Sequence, residues 1–135
     1  MDVERDDRPW GYFQVVDEGA GFKVKRLCVR PGQRLSYQRH TSRSEHWFVV
    51  SGRGLVTLDD STGEVGPGST VDIPAGTAHR VACEGDVDLV FIEVQTGSYF
   101  GEDDIERLAD DYGRDAEMPA AGTQDVDSAR AAEIS

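Results

Sequence analysis

Gly32-Gln-Arg-Leu-Ser-Tyr-Gln38-Arg-His40-Thr-Ser-Arg-Ser-Glu45-His-Trp-Phe-Val-Val-Ser-Gly52 is the stretch whose reading decides the fold. In an extended strand alternate side chains share a face, so Gln38 and His40 point the same way. Thr41-Ser-Arg-Ser44 reads as a turn, after which Glu45, Trp47 and Val49 form the next inward set, and Gly52 with Gly54 closes the hairpin where positive backbone angles cost little. A second run, Gly68-Ser-Thr-Val-Asp-Ile-Pro74-Ala-Gly76-Thr-Ala-His79, places a tight turn at Pro74-Ala-Gly76 and delivers His79 at the head of the following strand. Imidazole nitrogens with carboxylate and carboxamide oxygens form a donor set that suits a borderline divalent cation. The spacing therefore predicts a metal cup made by Gln38, His40, Glu45 and His79, with zinc first and manganese, iron, cobalt or nickel as alternatives.

Outward from this stretch, short alternating runs separated by Gly and Pro cover residues 10–16, 22–30, 34–40, 45–51, 54–59, 69–73, 79–83 and 87–95, the pattern of an all-β sandwich or barrel. Residues 102–110 read as a short C-terminal helix, with acidic residues in its first turn facing the positive end of the helix dipole. Residues 1–7 are expected to be a flexible N-terminus. Residues 115–135, with Pro119, Gly122 and little apolar content beyond Ala, are expected to be a disordered acidic tail. No internal repeat is evident.

The chain has 135 residues, enough for one domain with a real core. Its net charge of -12, from 26 acidic against 14 basic residues, argues against a nucleic-acid groove and against anionic membranes. Cys28 and Cys83 have no CxxC spacing and follow no signal-like apolar run, so both read as buried thiols in a reduced, cytoplasmic setting. Local positive charge suited to an anionic small molecule gathers near the cup motifs, at Lys23, Lys25, Arg26, Arg30, Arg34, Arg39, Arg43 and Arg80.

In the last long strand Leu89, Phe91, Glu93 and Gln95 share one face, and Val90, Ile92 and Val94 share the other. An apolar floor ending in a carboxyl and a carboxamide suits a barrel pocket with a polar mouth, which makes Glu93 a candidate for proton chemistry and Gln95 for ligand contact. Lys25, Arg43 and Arg80 are candidates to clamp a phosphate through charge-assisted bonds. His46 follows Glu45, and strict alternation turns it outward unless the strand bends at its start. The apolar face carrying Val90, Ile92 and Val94 needs cover, from a homodimer or from within the chain.

The double pattern resembles the cupin superfamily. A closer likeness runs through Arg8-Pro-Trp-Gly11, Lys23-Val-Lys-Arg26, Gln38-Arg-His40, Arg43-Ser-Glu-His-Trp47, Ile73-Pro-Ala-Gly76, His79-Arg80, Ile92-Glu-Val-Gln95, Gly101-Glu-Asp-Asp-Ile105 and Asp111-Tyr-Gly-Arg114. These segments resemble the cupin domain of type II mannose-6-phosphate isomerases over residues 8–114. The resemblance implies an all-β double-stranded β-helix (a cupin jelly-roll barrel) and a divalent metal. It implies interconversion of mannose 6-phosphate and fructose 6-phosphate in nucleotide-sugar and polysaccharide biosynthesis. In that picture Gln38, His40, Glu45 and His79 hold the ion, and Glu93 or His46 moves the proton. Arg43, Arg80, Lys25 and Gln95 meet the sugar phosphate or its developing charge. The family domain usually follows a mannose-1-phosphate guanylyltransferase half, so a separate guanylyltransferase polypeptide is a candidate partner.

One departure is plain: where the family usually has three consecutive histidines, this chain has His40-Thr41-Ser42. The rival reading is a non-catalytic cupin that binds a sugar phosphate or nucleotide sugar. A metal-dependent dioxygenase is a third reading, set against the basic residues around the cup.

Overall fold

The computed structural model describes residues 4–101 and 103–113. Eleven strands make up their regular structure. They are β1 (Asp6–Arg8), β2 (Gly11–Gly19), β3 (Phe22–Val29), β4 (Tyr37–Arg39), β5 (Arg43–Ser51), β6 (Gly54–Leu58), β7 (Ser61–Val65), β8 (Thr70–Ile73), β9 (His79–Cys83), β10 (Leu89–Gly97) and β11 (Glu106–Ala109). A six-stranded sheet runs β1-β2-β3-β10-β5-β8 and a five-stranded sheet runs β11-β4-β9-β6-β7, with antiparallel pairing throughout. This is the all-β double-stranded β-helix that the family resemblance implied, and each of the alternating runs overlaps one of the strands. The expected tail at 115–135 lies outside the described residues.

Alternation decides what the barrel encloses. Along β5, Arg43, Glu45, Trp47 and Val49 are buried while His46, Phe48 and Val50 are exposed. Along β10, Leu89, Phe91, Glu93 and Gln95 are buried. Trp10, Phe13, Leu27, Val29, Trp47, Val49, Leu89 and Phe91 belong to one buried apolar cluster, part of which lines the same cleft as Glu45 and Glu93. Each such side chain contributes roughly 1.5–3 kcal/mol relative to exposure. Cys28 and Cys83 are both buried free thiols. No helix among the described residues is long and apolar enough to cross a membrane.

The C-terminal segment differs from the helical expectation. Glu106–Ala109 pairs antiparallel with β4, with a register irregularity between Arg107 and Ala109, and no described residue is helical. Ile105, Leu108 and Ala109 have a spacing compatible with one helix face, but the open edge of β4 offers more. There the segment satisfies a row of backbone groups while Ala109 packs with Tyr37 and Ala78 and Leu108 packs against them. A helix would have left that edge unpaired.

Two close approaches bring the site strands together. Pro74 to Thr77 form a turn with Thr77 N–H donating to the Pro74 carbonyl at 3.1 Å and Gly76 at φ +89. The Gly76 N–H also donates to the His40 carbonyl at 2.8 Å, which ties the turn before β9 to the end of β4. Gly97, at φ +153, lets β10 pass against the Ser42 carbonyl, which a Cβ would meet at 2.3 Å.

Candidate metal centre and surrounding cleft

His40, Glu45 and His79 converge from the end of β4, the start of β5 and the start of β9, with one potential ligand atom from each lying within 4.8 Å of the others. His40 Nε2 is 3.4 Å from Glu45 Oε2, and His79 Nε2 is 3.7 Å from Glu45 Oε1. Gln38 stands in register beside His79 on the adjacent strand and lines the same cleft. Its Oε1 accepts the Ser36 hydroxyl at 3.4 Å.

The ring tautomers follow from the hydrogen bonds. His40 Nδ1 contacts the Asp104 carbonyl at 2.5 Å, and His79 Nδ1 contacts the Thr77 carbonyl at 2.9 Å. A carbonyl can only accept, so each Nδ1 carries the hydrogen and each Nε2 presents a lone pair to the centre. Burial, reinforced by the Arg43 guanidinium, pushes the His40 pKa down to about 4; burial lowers that of His79 as well. Both rings are therefore neutral near pH 7, the form in which imidazole ligates a metal.

A borderline dication with bonds of about 2.0–2.2 Å places its donors roughly 3–4 Å apart. The distances above lie in that range. The buried His79 Nε2 has no hydrogen-bond partner among the described residues, which a ligand lone pair aimed at a cation position would also lack. The donor set fits a metal.

Around the centre the polar side chains are layered. Trp47 Nε1 donates to Glu45 Oε1 at 3.0 Å, and Arg43 Nε donates to Glu45 Oε2 at 3.3 Å. Arg43 Nη2 lies 3.1 Å from His40 Nε2. Glu93, in register with Lys25 on β3 and Trp47 on β5, shares a side-chain hydrogen bond with Glu45. Burial first, then the nearby Glu45 carboxylate, raises the Glu93 pKa to about 8, with Lys25 and Arg43 pulling the other way. The carboxyl is thus protonated at neutral pH, inside a cleft whose wall includes Trp10, Phe13 and Leu27.

Three residues singled out by the sequence stand elsewhere. His46 is on the outer face of β5, with Nδ1 2.5 Å from Asp72 Oδ1, so the structure does not bring it to the cup. Arg80 follows His79 and alternation turns it away too: it is buried behind the five-stranded sheet, where Nε donates to the Leu35 carbonyl at 3.0 Å. It lines a separate cavity with Arg34, Thr57, Asp60 and Thr62. Gln95 faces inward beside Glu45 in register but is wholly enclosed rather than at the mouth, and its carboxamide atoms have no hydrogen-bond partner among the described residues. Lys25 and Arg43 do line the cleft.

Sequence reasoning gave no role to several groups that shape the site. Asp104 accepts from Thr41 N–H at 3.0 Å, the Thr41 hydroxyl at 2.9 Å and Ser42 N–H at 2.9 Å. Partial desolvation pushes its pKa up, but these bonds outweigh it and hold the carboxyl below the ordinary value. At the cleft, Arg8 and Lys25 both sit against the Phe13 ring, 4.8 Å and 4.2 Å from its centroid, and Arg107 also lines the opening. Arg8 lies within the quoted Arg8-Pro-Trp-Gly11 segment, but a motif match does not reveal a ring contact.

The family model described as mannose-6-phosphate isomerase C-terminal matches residues 3–110, the stretch that carries both the barrel and the cup. The chain belongs to the mannose-6-phosphate isomerase C-terminal family. Within this cupin family it is 54% identical over 110 residues to the alginate biosynthesis protein AlgA of Pseudomonas aeruginosa, covering 82% of this chain and 23% of that one. It is 45% identical over 107 residues to the mannose-1-phosphate guanylyltransferase of Escherichia coli, covering 79% and 22%. The chain thus spans under a quarter of the length of these relatives. Among solved structures, the capsular polysaccharide assembling protein CapF of Staphylococcus aureus shares the fold, with a TM-score of 0.68 at 24% identity over 80% of this chain and 32% of that one.

Proposed function

We propose that this chain is a metal-dependent sugar-phosphate isomerase, interconverting mannose 6-phosphate and fructose 6-phosphate in the cytoplasmic supply of nucleotide sugars for polysaccharide synthesis. The observation that carries the reading is the placement of Glu93: a buried carboxyl with a pKa near 8, hydrogen-bonded to Glu45 of the metal-fitting triad. Aldose–ketose isomerisation needs one group to take the proton from the carbon beside the carbonyl and return it to the neighbouring carbon. A group whose pKa lies near the working pH serves best as both base and acid. Glu93 is that group in this reading.

Gln38, His40, Glu45 and His79 would hold the cation, which when bound supplies Lewis-acid polarisation of the sugar oxygens. The chain's own contribution is positional. Trp47 fixes the Glu45 carboxylate, the Asp104 and Thr77 carbonyls fix the imidazoles, and Trp10, Phe13 and Leu27 exclude water from one side. The phosphate meets Lys25, with Arg8 and Arg107 at the opening taking the place the sequence had assigned to Arg80. Arg8 and Lys25 share the Phe13 ring, so one aromatic side chain sets the position of two cations.

A binding-only cupin is the second reading. Its support is the Thr41-Ser42 pair: these residues stand where the family usually has histidines, and Asp104 holds the segment through Thr41 and Ser42. The two readings separate in deuterium oxide. NMR of mannose 6-phosphate incubated with metal-loaded protein should show fructose 6-phosphate appearing with deuterium at C1 and, by reversal, deuterium at C2 of the remaining mannose 6-phosphate. Binding detected by a shift in melting temperature without any wash-in would leave only the binding module.

A further inference from the structure

We infer that Arg43 is a built-in competitor for the metal position, which must release His40 before a cation can bind. This rests on the reading that His40, Glu45 and His79 hold that cation. The conflict lies at one atom. His40 Nδ1–H is committed to the Asp104 carbonyl, which leaves a single lone pair on Nε2, and Arg43 Nη2 stands 3.1 Å from it as a donor. An imidazole lone pair can accept a guanidinium N–H or ligate a metal, not both. Glu45 has no such conflict: Trp47 on Oε1, Arg43 on Oε2 and the bond shared with Glu93 take three of its four lone pairs and leave one for a cation.

Arg43 is suited to be a resident cation. It is 6% exposed, it contacts two members of the triad, and it offsets the charge of Glu45. Its remaining terminal nitrogen, Nη1, is buried without a hydrogen-bond partner among the described residues, so within them the side-chain hydrogen bonds of the guanidinium are to the triad. Cation entry therefore exchanges one Arg43–His40 hydrogen bond for one metal–nitrogen bond. Each imidazole keeps its Nδ1 hydrogen on a backbone carbonyl throughout. Arg43 thus sets the threshold affinity that an incoming metal must exceed.

The test is calorimetric titration of chelator-stripped protein with zinc and with manganese, in the native chain, in Arg43→Met and in His79→Ala. Methionine retains much of the arginine stem length and offers no donor. The expected result is that Arg43→Met binds at least tenfold more tightly than the native chain, about 1.4 kcal/mol, and that His79→Ala does not bind stoichiometrically. Equal affinities for the native chain and Arg43→Met, with binding lost in His79→Ala, would overturn the role of Arg43 and leave the cation reading in place. No binding of either ion to the native chain or to Arg43→Met would overturn both. Should Arg43→Met fail to fold, nitrogen-15 NMR of the native chain decides: the Arg43 guanidinium and His40 Nε2 signals should both move at saturating zinc. An unmoved Arg43 signal beside a shifted His40 would refute the exchange.

Discussion

Replacing Glu93 by Gln should change how stability depends on pH more than it changes stability at any one pH. A carboxyl that ionises at 4.5 when solvated and at about 8 inside this barrel resists ionisation across that whole interval. At about 1.36 kcal/mol per pH unit, the gap corresponds to ~5 kcal/mol between its two limits. The sign follows from linkage. Between the two pKa values the folded chain keeps the proton that the unfolded chain has released, so stability falls as pH rises through the window. Glutamine has nearly the same shape, can donate to Glu45 and does not ionise. Relative to the native chain, Glu93→Gln should therefore gain about 2–3 kcal/mol between roughly pH 5.5 and pH 7.5, whatever constant offset the substitution carries.

The measurement is urea unfolding of both proteins in chelator across that range, comparing differences so that shared contributions cancel. His40 and His79 are among those shared terms, and they act in the opposite direction. Their lowered pKa values make the unfolded chain bind more protons, so stability rises with pH from about 4 for His40 up to the ordinary histidine value of 6.5. Parallel stability curves for the two proteins would mean that Glu93 ionises like a solvated carboxyl, and the argument for it as a proton carrier would fail. The same variant should lose deuterium wash-in while keeping stoichiometric metal.

His79→Ala should abolish stoichiometric metal in elemental analysis of protein purified without chelator, because it removes a buried lone pair aimed at the cation position; undiminished metal would refute the assignment. Asp104→Ala should cost about 1.5–3 kcal/mol in urea unfolding, the range for hydrogen bonds to a charged group, because it strips the acceptor from Thr41 and Ser42. Its stabilising effect should be present above the ordinary aspartate pKa of 3.8 and fade as pH falls through the lowered value. A native-like pH profile in the variant would refute that role.

The parts of this molecule that were legible in the sequence share one property: they follow from a period of two within a single strand. Once Gln38 and His40 are placed on one face, and Glu45 and Trp47 on the next inward set, the barrel wall and most of the cup follow, as does the inward aim of Glu93. The same rule, applied without exception, also places His46 and Arg80 outside. Giving them site roles required a bend in β5 or β9, and the pairing of β5 with β8 is continuous from Glu45 to Phe48. That of β9 with β6 is likewise continuous from His79 to Cys83. What strand period cannot supply is a partner brought in from a distant segment. Asp104 reaches His40 across 64 positions, and β11 formed where a helix was expected because β4 had an unpaired edge, a fact about the assembled sheet and not about residues 102–110. The pKa of Glu93 is of the same kind, since it depends on Glu45, Lys25 and Arg43 arriving from two other strands. Donor identity in this site is thus written locally, whereas the protonation states that would let the donors work are set by the closed barrel; substitution of a residue on another strand such as Lys25 should therefore alter the titration of Glu93 while leaving every ligand in place.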